Sequence, residues 1–126
     1  MDVLDADVLI DIQRGFPAAV AWVDSLVESP SVSGLVVMEL INEAQNRRQV
    51  TVAQHLVAPF PIVWPTTDDC NRALLTFTDF HLSHGLGLID SLVAATAVGL
   101  SATLLTFNVK HFRVVPNLVT RPPYSR

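Results

Sequence analysis

Cysteine is almost absent from this sequence, since Cys70 is the only one among 126 residues. An internal disulfide is therefore impossible, and we expect a reducing, cytoplasmic environment. The His and Cys spacing of zinc sites is missing, and so is the glycine-rich loop that holds nucleotide phosphates. These absences exclude a disulfide-stapled scaffold, a zinc module and a P-loop enzyme.

Positive charge is also sparse. Lys110 is the only lysine, and 8 Lys and Arg residues face 12 Asp and Glu residues, giving a formal net charge of −4. This balance provides no general attraction for nucleic acid, although acids that bind metal ions are partly neutralised by them. Half of the residues are hydrophobic, which is typical of a globular chain, and we expect one domain over residues 1–126.

Two segments could be mistaken for targeting or membrane signals. Asp2 and Asp5 interrupt the first apolar run, so we expect no signal peptide. The stretch Ser91–Val109 carries no charge and is long enough to span a bilayer. Its hydroxyl-bearing residues and the break at Gly99–Ser101 favour a helix, a turn and a buried strand instead. We therefore expect no membrane association.

Short apolar runs alternate with helical patterns along the chain. This alternation predicts a three-layer α/β/α sandwich around a central parallel sheet of four or five strands. We predict strands at residues 2–5, 31–34, 62–64 and 103–106, with 114–115 as a candidate fifth. We predict helices at residues 8–13, 17–27, 35–48, 50–58, 67–80 and 92–99, a loop at 81–88 and a polar link at 108–113.

Three acidic residues stand at corresponding points of these repeated units. Asp5 ends the first strand, Glu39 lies early in the helix after the second strand, and Asp90 opens the helix that leads to the fourth. Ligands bind at this edge of a parallel sheet, where strands finish and helices begin. Converging carboxylates repel one another unless a cation lies between them, which indicates Mg²⁺ or Mn²⁺. Such ions activate water and stabilise in-line attack on phosphorus.

Each acid also has an ordinary structural interpretation. Asp5 or Asp7 could cap the first helix, and Asp90 could cap its own. Glu39 could be a solvated helix residue, although its apolar neighbours argue against full exposure. Ordinary surface or helix roles fit two further acids, Asp11 and Glu43. Loop or surface roles fit three histidines, His81, His84 and His111.

The segments that hold the three acids resemble sequence blocks of PIN domains. The first is VLDADVLID at residues 3–11, and the second is VSGLVVMELINE at residues 32–43. The remaining blocks correspond to residues 85–118, which contain a Thr-x-Asn-x-x-x-Phe segment at Thr106–Phe112. Within that family the chain most resembles VapC-type toxins of prokaryotic toxin–antitoxin pairs.

The resemblance implies an endoribonuclease that depends on Mg²⁺ or Mn²⁺ and forms a homodimer neutralised by a VapB-like antitoxin. Asp5, Glu39 and Asp90 carry over as metal ligands. The family often supplies a fourth acid after the fourth strand, but no Asp or Glu follows Asp90 here. Asn108 and His111 occupy that region, and we expect Asn108, with Lys110, to position a water or a phosphate oxygen.

Two other functions fit the same residues. The VLDADVL segment also resembles the opening of haloacid-dehalogenase-like phosphatases, in which the first Asp is a nucleophile. That class needs a lysine before a later acidic pair, and no acid follows Lys110. The missing fourth acid fits a PIN-like module that binds RNA or a partner without cutting it.

Overall fold

The strand Asp2–Leu4 lies near the centre of a five-stranded parallel sheet. The structure is a computed structural model that describes residues 1–126. Its strands are β1 (Asp2–Leu4), β2 (Ser31–Ser33), β3 (Ile62–Val63), β4 (Thr103–Leu105) and β5 (Val119–Arg121). Its helices are α1 (Ala6–Gln13), α2 (Pro17–Asp24), α3 (Gly34–Asn42), α4 (Arg47–Val57), α5 (Thr67–His84), α6 (Leu88–Gly99) and α7 (Val109–Phe112).

The strand order is β3-β2-β1-β4-β5, and every neighbouring pair is parallel. The chain leaves β1 towards β2 and β3, then returns to the other side of β1 for β4 and β5. This reversal creates a topological switch point at the carboxyl ends of β1 and β4. Right-handed crossovers on both sides of such a point place helices on both faces of the sheet. The predicted α/β sandwich with a parallel sheet is confirmed, with five strands.

The two central strands are apolar because helices cover them on both faces. Val3 and Leu4 of β1 are fully buried, and so are Leu104 and Leu105 of β4. Val3 lies beside Leu104 in the ladder, and Leu4 lies beside Leu105. The core is therefore centred on the two strands that end at the switch point.

Side-chain caps fix where the helices begin. The Asp5 carboxylate accepts the Ala6 N–H at 2.9 Å, and the Ser33 hydroxyl accepts the Leu35 N–H at 3.2 Å. Thr66 and Asp69 form a capping box at the start of α5. Because Asp5 directly follows β1 and Ser33 is the last residue of β2, each cap turns the chain from strand to helix at the same edge of the sheet.

The predicted helix over residues 35–48 is wrong at its carboxyl end. α3 stops at Asn42, and Arg47 and Arg48 begin α4 instead of ending α3. The Asn46 side chain causes the division, since it accepts the Gln49 N–H at 2.9 Å as an N-cap. A polar residue at the junction thus moves the boundary between the two helices predicted at 35–48 and 50–58, so that the second begins at Arg47.

Two other helix ends differ from the prediction. α2 ends at Asp24 rather than at residue 27, and the Ser25 hydroxyl donates to the Trp22 carbonyl at its end. α5 continues to His84, four residues beyond the predicted end, so the first half of the predicted loop at 81–88 is helical. Gly85 then ends α5 in a left-handed conformation, with φ of 66°.

The segment after β4 contains the largest error. Residues 109–112 form α7 inside the predicted polar link, and the candidate strand at 114–115 is wrong. Val115 is a core residue of the turn after α7. Asn117, with φ of 65°, precedes the true strand β5, where Val119 lies beside Thr103. β5 is an exposed edge strand, so it lacks the apolar signal of the central strands.

The uncharged stretch Ser91–Val109 contains most of α6, a turn at Ser101 and the strand β4, as predicted. Val93 and Ala94 of α6 are among the buried core residues. No helix of the protein combines the length and the apolar character that a membrane span requires.

The carboxyl-terminal tail folds back onto α1. The Tyr124 hydroxyl donates to the Asp11 carboxylate at 2.7 Å, and two Arg126 nitrogens donate to it at 3.0 Å each. The Arg126 guanidinium also lies over the Phe107 ring, 4.3 Å from its centre. Of the surface or helix role expected for Asp11, the surface part is wrong, because Asp11 is a buried residue of α1. The hydrogen bond from Arg126 is the main reason that the pKa of Asp11 is lowered.

Leu104→Ala tests the central position of β4. The side chain is fully buried, so we expect the free energy of unfolding to fall by about 2–5 kcal/mol through lost contacts and a cavity. Leu82→Ala removes the same atoms from a residue that is 93% exposed. It should change the free energy of unfolding by less than about 0.5 kcal/mol. Urea unfolding measures both, and equal losses would contradict the position of β4.

Candidate functional site

Asp5 lies at the carboxyl end of β1, at the switch point. Asp5 is only 8% exposed, and its two carboxylate oxygens have different hydrogen-bond partners. Oδ1 accepts the Ala6 N–H at 2.9 Å, and Oδ2 accepts the Thr106 hydroxyl at 2.8 Å. The capping role is therefore real, but it uses only one of the two oxygens.

Thr106 connects the end of β4 to both acids of the first block. It is fully buried, and its Oγ1 lies 2.8 Å from Asp5 Oδ2 and 3.3 Å from Asp7 Oδ2. The same oxygen accepts the Asn108 N–H at 3.0 Å. Asp7 Oδ2 in turn accepts the Phe107 N–H at 2.9 Å. Sequence reasoning did not single out Thr106 as a site residue, although its position directly after a buried strand was a usable signal.

Asp90 lies in the first turn of α6 and does not cap that helix, whose N-cap is Gly87. Its side chain contacts α7 instead: Asp90 Oδ2 lies 2.9 Å from His111 Nε2, and a carboxylate can only accept this hydrogen bond. Phe112, the next residue, is 1% exposed and anchors α7 in the core. His111 is thus held at the site, which corrects the loop or surface role expected for it.

Glu39 is on the second turn of α3 and is exposed, contrary to the expectation from its apolar neighbours. Its pKa is nevertheless raised, first by partial burial and then by the charges of Asp90 and Glu43. α3 also packs against α6, the helix that carries Asp90. Glu39 therefore lies within electrostatic reach of Asp90 although no hydrogen bond joins them.

The negative charge at this edge is not balanced by a basic side chain. The pKa of Asp5 is raised from 3.8 to about 6, mainly by burial and then by the charge of Asp7, with a smaller effect of Asp90, while the Thr106 and Ala6 hydrogen bonds oppose the shift. The ion pairs of Arg72, Arg121 and Arg126 are made with other acids. Only His111 contacts a predicted metal ligand.

This donor set fits a divalent cation. The available atoms are carboxylate oxygens, the ligands that hard ions prefer, together with one imidazole nitrogen. No three His, Cys, Asp or Glu side chains already converge as a finished metal-binding group. A shared ion would therefore be held only after the carboxylates turn towards it from Asp5, Asp90 and Glu39.

Asn108 lies between β4 and α7, next to this network. Its backbone N–H is fixed by Thr106, whereas its side chain is exposed and makes no hydrogen bond. Lys110 is exposed on the same short helix. The two residues thus provide an exposed amide and an exposed ammonium group on the segment that also carries His111.

A groove of about 420 Å³ runs between α1, α3 and α4. Ile10, Leu40 and Leu56 contribute apolar side chains to it, and Glu43 contributes a carboxylate. Glu43 is close enough to Glu39 to raise the pKa of Glu39. The groove thus includes Glu43, which lies four residues after Glu39 at the end of α3.

Comparison with known proteins identifies relatives along nearly the whole chain. The sequence pattern of the PIN domain matches residues 3–118. Ribonuclease VapC19 of Mycobacterium tuberculosis is 33% identical, covering 98% of this chain and 100% of its own, and Ribonuclease VapC10 of the same organism is 35% identical, covering 99% and 94%. A toxin–antitoxin complex from Klebsiella pneumoniae contains a chain of the same fold, with a TM-score of 0.78, 23% identity and full coverage of both chains.

The raised pKa of Asp5 gives a pH-dependent stability. In metal-free protein the folded state holds the Asp5 proton between pH 3.8 and about 6 while the unfolded state has lost it. Stability therefore falls as pH rises through this window and stays reduced above it. We expect Asp5→Asn to be more stable than the wild type at pH 8, by at most about 3 kcal/mol, with little difference at pH 4.

Urea unfolding with a chelator present measures this difference at both pH values. Asp24→Asn, at an exposed residue that ends α2, is the matched control and should follow the wild type at each pH. An Asp5→Asn protein less stable than the wild type at pH 8 would contradict the electrostatic origin of the shift.

Proposed function

The chain belongs to the PIN domain family, and we propose that it is a VapC-type toxin, a metal-dependent endoribonuclease that hydrolyses phosphodiester bonds of RNA. The observation that carries the proposal is the unbalanced negative charge of Asp5, Asp90 and Glu39 at one edge of the sheet. The two relatives named as VapC ribonucleases support the same reaction.

Asp5, Asp90 and Glu39 are the residues that would hold Mg²⁺ or Mn²⁺. When bound, such an ion supplies a water of lowered pKa and neutralises charge on the phosphodiester. Asp5 lies at the carboxyl end of β1, Asp90 in the first turn of α6 and Glu39 on the second turn of α3. Thr106 keeps one Asp5 oxygen oriented through its 2.8 Å hydrogen bond.

The phosphate is positioned by residues that follow β4. The Asn108 amide points from a junction fixed by Thr106, and Lys110 brings the only lysine of the chain to the same segment. An amide donor orients a phosphate oxygen, and an ammonium group favours the charge that develops during attack. We assign Asn108 to the reaction itself and Lys110 to binding of the RNA backbone.

The same family relationship supports a proposal about partners. We propose that a VapB-like antitoxin neutralises this protein in the cytoplasm and that the toxin forms a homodimer. The groove between α1, α3 and α4 suits an apolar segment of the antitoxin, because Ile10 and Leu40 line it and Glu43, four residues after Glu39, borders it. A segment bound there would keep RNA away from Glu39.

A second candidate function is binding of RNA or a partner without cleavage. One observation favours it: no Asp or Glu follows Asp90, so the chain lacks the fourth acid that the family often has. Both candidates require the same surface, but only the first requires catalysis. A cleavage assay separates them directly.

We expect purified protein to cut structured RNA with Mg²⁺ or Mn²⁺ and to stop when EDTA removes the ion. Asp5→Asn and Asp90→Asn should each lower the cleavage rate by at least about a hundredfold, because each removes a ligand charge. The rate of loss of intact RNA, measured on a gel, gives these values. Circular dichroism checks that each variant keeps its fold.

Asp24→Asn is the control, since it removes an exposed acid from the end of α2. It should cut RNA at the wild-type rate. Full activity of Asp90→Asn, or activity that persists in EDTA, would rule out the metal-dependent mechanism. RNA binding without any cleavage under these conditions would establish the second candidate function.

A further inference from the structure

The turn at residues 106–108, which joins β4 to α7, is held through its backbone. The Thr106 N–H donates to the Arg121 carbonyl at 3.2 Å, and the Phe107 N–H donates to Asp7 Oδ2 at 2.9 Å. The Asn108 N–H donates to the Thr106 hydroxyl at 3.0 Å. Three successive N–H groups thus have one acceptor each, and the position of the Asn108 side chain depends on how firmly this turn is held.

The Phe107 side chain connects the turn to the carboxyl-terminal tail, residues 122–126. The centre of the Tyr124 ring lies 4.9 Å from the centre of the Phe107 ring. The Arg126 guanidinium lies over the same ring, 4.3 Å from its centre. Both contacts are of a favourable kind, since aromatic rings attract one another at this spacing and a ring face attracts a cation. The tail therefore covers the one aromatic residue of the turn.

Asp11 anchors the two tail side chains to α1. Its buried carboxylate accepts the Tyr124 hydroxyl at 2.7 Å and two Arg126 nitrogens at 3.0 Å each. Hydrogen bonds to a charged partner are stronger than neutral ones. The Tyr124 ring also packs against Phe16 and Trp22, with ring centres 6.1 and 5.9 Å apart. The tail is thus fixed on α1 and α2.

Asp7 and Asp11 lie one helical turn apart on the same face of α1. Asp7 holds the backbone of Phe107, and Asp11 holds the two side chains that lie against its ring. Phe107 and Tyr124 are only partly buried and pack on the outside of the buried core. Loss of the tail contacts would therefore loosen the turn without removing a side chain from the core.

We propose that Tyr124 and Arg126 are positioning residues: through Phe107 they keep the turn at residues 106–108 where Asn108 meets the RNA. The inference rests on the proposed function, because Asn108 is assigned to that reaction. A reacting group displaced by about 1 Å can lose about a hundredfold in rate, so a side chain that only orients the turn still affects cleavage. Neither Tyr124 nor Arg126 has to touch the RNA.

Amide hydrogen exchange of the full chain, followed by nuclear magnetic resonance, tests whether the tail holds the turn. The Phe107 N–H of Arg126→Ala should exchange at least about tenfold faster than that of the wild type, because local opening becomes easier. Arg72→Ala is the matched control, since Arg72 also pairs with a buried aspartate, Asp69, at the start of α5. It should leave the exchange rate of Phe107 within about twofold. A wild-type rate in Arg126→Ala would overturn the proposal.

Steady-state cleavage separates positioning from RNA binding. Arg126→Ala and Tyr124→Ala should each lower kcat about tenfold or more and change KM by less than about twofold, whereas Arg72→Ala should keep both values. Tyr124→Phe keeps the ring against Phe107 and should restore at least about half of the wild-type kcat. A raised KM with unchanged kcat would show that Arg126 contacts the RNA instead. Equal losses in Tyr124→Phe and Tyr124→Ala would show that the ring contact has no role. Either result contradicts the proposal.

The outcomes separate this inference from the proposed function. If RNA cleavage requires a divalent ion and Asp5 but Arg126→Ala keeps the wild-type exchange rate and kcat, only the role of the tail fails. If no protein cuts RNA, the proposed function fails, whereas faster exchange of the Phe107 N–H in Arg126→Ala still supports the hold of the tail on the turn.

Discussion

The hydrogen bond from Thr106 to Asp5 is the contact on which the rest of the site depends. It joins residues 101 positions apart and connects the ends of the adjacent strands β1 and β4. The Thr106 hydroxyl also contacts the Asp7 carboxylate and accepts a hydrogen bond from the Asn108 N–H. One buried hydroxyl therefore sets the relative positions of the first acid and of the segment that carries Asn108 and His111.

The electrostatic arrangement shows how function and stability oppose each other here. Asp5 is buried beside like charges, and its hydrogen bonds with Thr106 and Ala6 compensate only part of the cost. A protein selected for stability alone would place a cation there, as it does at Asp11, where Arg126 donates twice. The contrast between these two aspartates is that Asp11 has cationic and hydroxyl donors that offset its charge, whereas Asp5 has none that is charged.

Local sequence patterns predicted the features that depend on local rules. The carboxyl ends of parallel strands share one edge, so Asp5 and Asp90 could be placed together before any coordinates were known. The exposed edge strand at Val119–Arg121 was missed because it has no buried face to give an alternating pattern. The contact between Asp90 and His111 was missed because it depends on how α7 docks through Phe112. The side chain of Asn46, a single cap, decided where α4 begins.

The strand order has a consequence for synthesis on the ribosome. β1 is made first, yet its neighbour β4 is completed about a hundred positions later. Until Leu105 has emerged from the exit tunnel, a growing chain holds β1 with one open side, and folding must close a very long loop. The nascent polypeptide is therefore incapable of forming the hydrogen bond between Thr106 and Asp5 until β4 has emerged.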